Sequence, residues 1–224
     1  MPSLRYRYQT MEFGDVDIHL RTLRDRQQYA DPDGTAEALG ISSATWPLFG
    51  VVWASSEILA HLMLDYEVTG RRILEVGCGI GLASLLLNQR QADITATDQH
   101  PSAEHFLQCN VALNNGRDIP FVRTGWADEI SDIGEFDLII GSDLLYERDH
   151  AALLAGFIDQ HARQRCEVII IDPNRGHSAK FSNRMADLGY AHTRSKPENP
   201  HSLEPPFRGN ILRYTRSAPT QQPA

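Results

Sequence analysis

The sequence predicts an α/β fold: a mostly parallel sheet with helices on both faces. Three observations predict it. From residue 72 onward, short apolar strands alternate with helical stretches, the pattern of a sheet buried on both sides. A glycine-rich turn, Gly77-Cys78-Gly79-Ile80-Gly81, joins the first of these strands to a helix. Polar residues with chemical potential, among them Asp98, Asp143 and Asp172, follow strands, and ligands of such sheets bind at the strands' carboxyl ends.

The elements follow in order. Residues 4–9 and 16–20 can pair as a short hairpin around Gly14-Asp15. Asp31-Pro32-Asp33-Gly34 reads as a turn or loop. Between residues 54 and 66, Ile58, Leu59, Leu62 and Met63 make one stripe of an amphipathic helix, with Ser55 or Ser56 as its cap. Strands are expected at 72–76, 93–97, 119–123, 136–141, 167–171 and 211–214. Helices are expected at 80–90, 102–113 (begun near Pro101), 150–163 and 180–188 (stopped by Gly189). The expected organisation is one domain over 1–216, with 1–45 as an N-terminal extension of hairpin plus loop, and a disordered tail over 217–224.

Composition narrows the function classes. At 224 residues the chain is long enough to bury a full core. No apolar run approaches the ~20 residues of a membrane helix. No apolar stretch follows Arg5 and Arg7, so no signal peptide is expected. Three cysteines, Cys78, Cys109 and Cys166, lack C-x-x-C spacing and fit a reduced, cytoplasmic setting. Lys and Arg number 21 against 29 Asp and Glu, a net charge of −8. That makes nucleic acid an unlikely general partner. Two local basic clusters, Arg21/Arg24/Arg26 and Arg208/Arg213/Arg216, read most simply as scattered solvated arginines. The nine histidines show no metal-ligand spacing; His100 and His105 read as surface or cap residues, and no metal is expected.

The glycine turn carries the strongest chemistry. Glycines there admit positive φ and let a ligand approach without a Cβ in the way. Exposed N–H groups at the helix start favour an anion. The spacing is G-x-G-x-G, not the G-x-G-x-x-G of dinucleotide-binding turns. Glu75 lies in the strand two places before Gly77. Asp98 ends the next strand, placed to accept hydrogen bonds from both ribose hydroxyls; capping the helix near Pro101 is its plainer alternative.

With these motifs in view, the sequence resembles the class I S-adenosylmethionine-dependent methyltransferases. Residues 75–82, EVGCGIGL, match their first motif, and Thr97-Asp98-Gln99-His100 matches the position after their second strand. Gly50-Val51-Val52-Trp53, Gly125-Trp126-Ala127-Asp128 and Gly141-Ser142-Asp143-Leu144-Leu145-Tyr146, which contains D-x-x-Y, are similar to the lysine methyltransferase-like branch. The likeness covers roughly residues 46–190. It implies a Rossmann-like, seven-stranded sheet and S-adenosylmethionine as cofactor. By that resemblance Trp53, Gly77, Gly79, Asp98, Trp126 and Ser142 line the cofactor pocket, with Glu75, Cys78, Gly81 and Gln99 beside them in the same motifs. An indole supplies a flat wall for adenine while its N–H remains a donor.

The resemblance implies N-methylation of a lysine in a protein substrate. Methyl transfer from a sulfonium is an in-line displacement and rests mainly on positioning. A lysine must also lose its proton: at a pKa of ~10.4, about one in a thousand is neutral near neutrality, a handicap of about 4 kcal/mol. Asp143 and Tyr146 follow the fourth strand, where the acceptor meets the methyl. Asp143 can orient an ammonium and Tyr146 can hydrogen-bond the amine; a carboxylate near its ordinary pKa is a weak base. A helix cap is the alternative for Asp143. The chain lacks the N-P-P-Y tetrapeptide of enzymes acting on amides and nucleobases. Asp172-Pro173-Asn174-Arg175 resembles the D-P-x-R stretch of the branch acting on the electron-transfer-flavoprotein β-subunit, which makes Asp172, Asn174 and Arg175 candidate substrate contacts. Asn174 and the glycine after Arg175 depart from that pattern, and a Pro-Asn turn with a solvated arginine is the alternative. Two other functions stay open: a small-molecule N-methyltransferase with a nicotinamide-like acceptor, and a non-catalytic adaptor on the same fold.

Overall fold

The computed structural model describes residues 4–25, 29, 31, 33–43, 46–127, 133–147, 149–200 and 203–217. The expected tail from 218 onward, and Arg26, Pro32 and Asp128 of the segments discussed above, lie outside the described residues.

Strands β1 (Tyr6–Phe13) and β2 (Val16–Leu23) form an antiparallel hairpin. A single helical turn, α1 (Thr35–Ala38), and a 3-10 turn at Trp46–Leu48 lead to α2 (Ala54–Leu64). There follow β3 (Arg72–Val76), α3 (Leu82–Gln89), β4 (Asp93–Asp98), α4 (Ala103–Leu113) and β5 (Phe121–Arg123). The second half comprises β6 (Phe136–Ser142), α5 (His150–His161), β7 (Ala162–Asp172), α6 (Ser178–Asp187), β8 (Ala191–Ser195) and β9 (Asn210–Arg216).

Seven strands form one sheet in the order β5-β4-β3-β6-β7-β9-β8. The five from β5 to β7 are parallel; β9 runs antiparallel between β7 and β8. Strand order reverses between β3 and β6, the switch point at which such sheets bind ligands. Residues alternate between the two faces, so each apolar strand feeds two cores. Ile73, Leu138, Ile140, Ile169 and Ile171 face the core with α2, α3, α4 and the hairpin. Leu74, Val76, Ile139, Val168 and Ile170 face the core with α5 and α6.

Boundaries differ from expectation where chemistry other than hydrophobic pattern decides. β7 starts at Ala162, five residues early, because Ala162 pairs with Phe136 across a bulge and Arg163 binds Asp137 at 2.9 Å. β8 carries no apolar signal: all five of its side chains are exposed, and it is held by backbone pairing to β9. Helix α3 starts at Leu82 rather than 80 because the turn continues through Gly79 and Gly81, both at positive φ. The cap of α2 is reciprocal: Ser56 Oγ accepts from the Trp53 N–H and donates to the Trp53 carbonyl. At its other end Arg90 donates to the carbonyls of Met63 and Tyr66.

The hairpin docks through side chains that imitate a neighbouring strand. Asn114 accepts from the His19 N–H at 2.8 Å and donates to the His19 carbonyl at 2.7 Å. Asn110 accepts from the Arg21 N–H at 2.7 Å. One edge of β2 is thus closed against α4.

Candidate cofactor and acceptor site

At the carboxyl ends of β3, β4 and β6 a cavity of about 380 Å³ opens. It gathers residues from six places in the chain: Trp53, Gly77 and Gly79, Asp98 and Gln99, Trp126, Ser142 and Asp143 with Tyr146, and Arg175. These ten were singled out from sequence. Five others do not line it: Glu75, Cys78, Gly81, Asp172 and Asn174.

The glycines divide by what surrounds them. All three of the loop have positive φ: 63° at Gly77, 58° at Gly79 and 78° at Gly81. A Cβ on Gly77 would meet Leu144 at 2.6 Å, and one on Gly81 would meet Leu107 at 2.4 Å. Those two glycines allow the turn to pack. A Cβ on Gly79 would meet no protein atom within 4 Å, yet Gly79 lines the cavity. The space before it belongs to whatever the cavity holds.

Asp98 faces that space. Its carboxylate accepts from the N–H groups of Gly79 and His100, each at 2.8 Å. Two N–H donors leave acceptor capacity on both oxygens. Burial pushes its pKa up, and these backbone bonds oppose the rise. The expected local capping and a ligand-facing role therefore coexist on one side chain.

His100 departs from the surface position expected for it. It is buried, stacked on Phe49 at 3.7 Å, and edge-on to Tyr29 at 4.5 Å. Burial lowers its pKa to about 4, so the ring is neutral. Nδ1 accepts from the Ser102 N–H at 3.2 Å, which leaves the proton on Nε2. Among the described residues that buried Nε2 has no hydrogen-bond partner, on a residue that lines the cavity. No apolar rhythm marks it, because its partners Tyr29 and Phe49 lie in the irregular N-terminal segment.

Glu75, expected beside the cofactor, turns the other way. It is buried and accepts from the Ser84 N–H at 2.9 Å and from the Ser84 hydroxyl. It braces the first turn of α3 against β3. Burial pushes its pKa up to about 7. The folded state therefore keeps the proton to about pH 7, while the unfolded chain releases it near 4.5. Glu75's contribution is most favourable below the unfolded pKa and is lost as pH rises to about 7. Glu75→Gln keeps an acceptor for Ser84 and removes the charge. Its melting temperature relative to wild type is expected to rise by several degrees between pH 5 and pH 8, an effect of about 2 kcal/mol. A constant difference across that range contradicts the assignment.

Cys78 is buried, and its N–H donates to the Thr97 carbonyl at 2.9 Å. The Trp53 indole donates to the Leu48 carbonyl at 3.0 Å, which fixes the ring as a wall. At the other end of the cavity His150 stands edge-on between Trp126 (4.9 Å) and Tyr146 (4.5 Å). Its Nδ1 donates to the Leu144 carbonyl at 2.9 Å. His150 starts a helix and gave no other sign in the sequence. Burial, with the charges of Asp98, Glu147 and Asp143, raises the Tyr146 pKa, so its hydroxyl stays protonated.

The sequence reading leaves Asp143 facing an incoming ammonium. The structure instead brings Arg175 onto it: Nε and one terminal nitrogen donate to the two carboxylate oxygens, each at 2.6 Å. This planar fork joins D-x-x-Y to the turn after β7. Asp143 holds a left-handed backbone, φ 53°, which Asp tolerates better than most residues. Asn174 also holds one, φ 68°. Its side chain points away from the cavity, donating to the Arg208 carbonyl at 3.0 Å and accepting from Arg194 at 3.0 Å and from Asn210. It ties the turn to the segment before β9. Asp172 lies buried beneath, with its pKa raised by burial first, and among the described residues neither carboxylate oxygen reaches a hydrogen-bond partner. Ser178 and the Asn174 N–H are near enough to oppose that rise without completing such bonds. Among the described residues, no group of three or more His, Cys, Asp or Glu is arranged to hold a metal.

The sheet order, the glycine turn and the facing acid define a Rossmann-like methyltransferase fold. Among solved structures, the 16S rRNA N2 G1207 methyltransferase of T. thermophilus, in complex with AdoMet and guanosine, superposes with a TM-score of 0.66 at 15% identity. The match covers 96% of this chain and 52% of that one. The chain belongs to the lysine methyltransferase family, whose model matches residues 41–187. The electron transfer flavoprotein beta subunit lysine methyltransferase of Xenopus laevis is 29% identical over 141 residues, 61% of this chain and 55% of that protein. The calmodulin-lysine N-methyltransferase of Arabidopsis thaliana is 26% identical over 150 residues, 61% of this chain and 49% of that protein. The chain thus spans about half the length of these relatives.

S-adenosylmethionine is the cofactor of this class, and the residues present fit it. The space before Gly79 and the acceptor capacity of Asp98 face one cavity.

Proposed function

We propose that this chain is an S-adenosylmethionine-dependent N-methyltransferase acting on lysine side chains of a protein. One observation carries the reading: the glycine turn with Asp98 and the Asp143-x-x-Tyr146 motif line a single cavity. In this reading Gly77, Gly79, Asp98, Gln99, Trp53, Trp126 and Ser142 hold the cofactor, and Asp143, Tyr146 and Arg175 receive the acceptor. Glu75, Cys78, Gly81, Asp172 and Asn174 lie behind the lining and support it. The bound cofactor supplies an electrophilic methyl on a sulfonium.

The chain's own groups position the amine. Tyr146, protonated and half-buried, offers a hydroxyl that accepts from or donates to the acceptor nitrogen. The Asp143–Arg175 pair is neutral as a unit, so it exerts no net pull on an ammonium and suits an amine that reacts without its proton. Asp143, forked to Arg175, orients rather than removes protons. Tyr146→Phe is expected to lower kcat about tenfold while leaving cofactor affinity within about twofold. Equal losses in both would move Tyr146 to the cofactor.

Among the described residues, no helix is long and apolar enough to cross a membrane. A cytoplasmic, reducing location is proposed on the three free cysteines. One methyltransferase domain over 1–216 and a general absence of nucleic-acid partners complete the reading, the latter supported by the net charge of −8. Incubating the protein with methyl-labelled S-adenosylmethionine and cell lysate tests it. Label on one or a few proteins supports the proposal; label only in the small-molecule fraction favours a small-molecule acceptor instead.

A further inference from the structure

A second and larger concavity, about 1000 Å³, lies beside the first. It runs between the inner face of β1, the start of α2 and residues 203–209. That volume is at the top of the range of small-molecule sites. The two concavities share Val51 and Trp53, and Pro173 lines the groove two residues before Arg175 lines the cavity. The groove thus adjoins the cavity along two edges, one at Trp53 and one beside Arg175 of the acceptor end.

Its floor is apolar: Met11, Leu23, Val52, Leu203 and Phe207. Its charge runs against that of the whole chain. Arg7, Arg24 and Arg208 line it, and among the described residues none of the three is in an ion pair. Of the three lining acids, Asp25 is bound by Arg5 at 2.8 Å and Glu57 is buried, which leaves Glu204 exposed. Counting Arg5, which pairs Asp25, four arginines face three acids here, one surplus positive charge on a chain of net charge −8. Two arginines from separate basic clusters of the sequence, Arg24 and Arg208, meet here.

Among the described residues, the groove also borders an unpaired strand edge. Arg24 N–H donates to the Arg5 carbonyl. In the antiparallel register this makes Arg7–Thr22, Gln9–Leu20 and Met11–Ile18 the bonded pairs. The backbone groups of Tyr8 and Thr10 therefore point away from β2. The side chain of Thr10 bonds His19 across the hairpin, on the face opposite Gln9 and Met11. Thr10 nonetheless lines the groove with them, so the strand's edge borders it. The other edge of the hairpin is closed by Asn110 and Asn114.

We infer that this groove docks an extended, acidic segment of the methyl-accepting protein. The inference rests on the proposed lysine methylation and names the features of the acceptor that sort one lysine from another. Backbone pairing along β1 supplies affinity without sequence demands. Arg7, Arg24 and Arg208 supply the preference, selecting lysines flanked by carboxylates.

Short fluorescent lysine peptides of equal length, with flanks of aspartate, serine or arginine, test it against the full chain loaded with S-adenosylhomocysteine. The aspartate peptide is expected to bind about tenfold or more tighter than the serine peptide, with the margin shrinking as salt rises. The combined variant Arg7→Glu, Arg24→Glu and Arg208→Glu is expected to remove that margin and leave S-adenosylhomocysteine affinity unchanged. Equal binding of all three peptides, no binding, or a margin that survives the charge reversal overturns the proposal. Tighter binding of a single-stranded RNA oligomer, lost on the same reversal, reassigns the groove to nucleic acid. Labelling of lysate lysines without acidic flanks overturns the groove alone; label confined to small molecules overturns the reading beneath it.

Discussion

Replacing Asp98 with alanine is expected to weaken S-adenosylmethionine binding about tenfold or more, since hydrogen bonds to a charged acceptor contribute about 1.5–3 kcal/mol each. The carboxylate ends β4 and faces the space kept open before Gly79. It already accepts two backbone N–H groups, so alanine also costs the loop some order. Asp98→Asn separates the two effects: one oxygen still accepts, but the charge and half of the acceptor capacity are gone. Calorimetric titration with S-adenosylmethionine, alongside melting curves, reads both. Loss of affinity in both variants, with the asparagine variant folded as wild type, is the expected result. Unchanged affinity in a folded Asp98→Ala protein removes Asp98 from the ribose.

Arg175 and Asp143 are expected to behave as one group. Their fork has both donor–acceptor distances at 2.6 Å, and Asp143 is the less exposed partner. Removing Arg175 leaves an uncompensated carboxylate at the acceptor end. An opposite charge nearby favours the ammonium form of an amine. Arg175→Ala is therefore expected to tighten capture of the acceptor, lower kcat about tenfold, and move the rate profile to higher pH. Asp143→Ala frees Arg175 and loses the orientation of the turn, with a similar fall in kcat. The double variant is expected to lose little beyond either single one, because both remove the same unit. Losses that multiply in the double variant mean that the two residues act independently.

Much of this architecture was legible because the sheet is buried on both sides. Runs such as FDLIIG at 136–141 and EVIII at 167–171 have no solvated face to dilute the signal. The exposed edge strand β8 was not legible, since AHTRS at 191–195 buries no side chain and pairs with β9 through its backbone. The cavity's frame was legible for a related reason. Positive-φ turns restrict residue choice, and a strand's carboxyl end restricts position, so Gly77, Gly79, Asp98, Asp143 and Tyr146 stood out in the chain. What sequence leaves open is direction. Glu75 sits in the first motif but turns toward Ser84, and Asn174 sits in D-P-x-R but turns toward Arg208. His100 looks peripheral in the sequence because its stacking partners, Phe49 and Tyr29, are remote along the chain. The Arg24–Arg208 juxtaposition is likewise a product of tertiary structure, invisible as two separate charge clusters.

The chemical identity of the labelled residue tests the central claim most directly. After reaction with methyl-labelled S-adenosylmethionine and lysate, labelled protein is hydrolysed in acid and its amino acids are separated. The expected result is label in N-methylated lysine, abolished or sharply reduced with the Tyr146→Phe enzyme. Label in methylarginine, in another amino acid, or in no protein at all contradicts it.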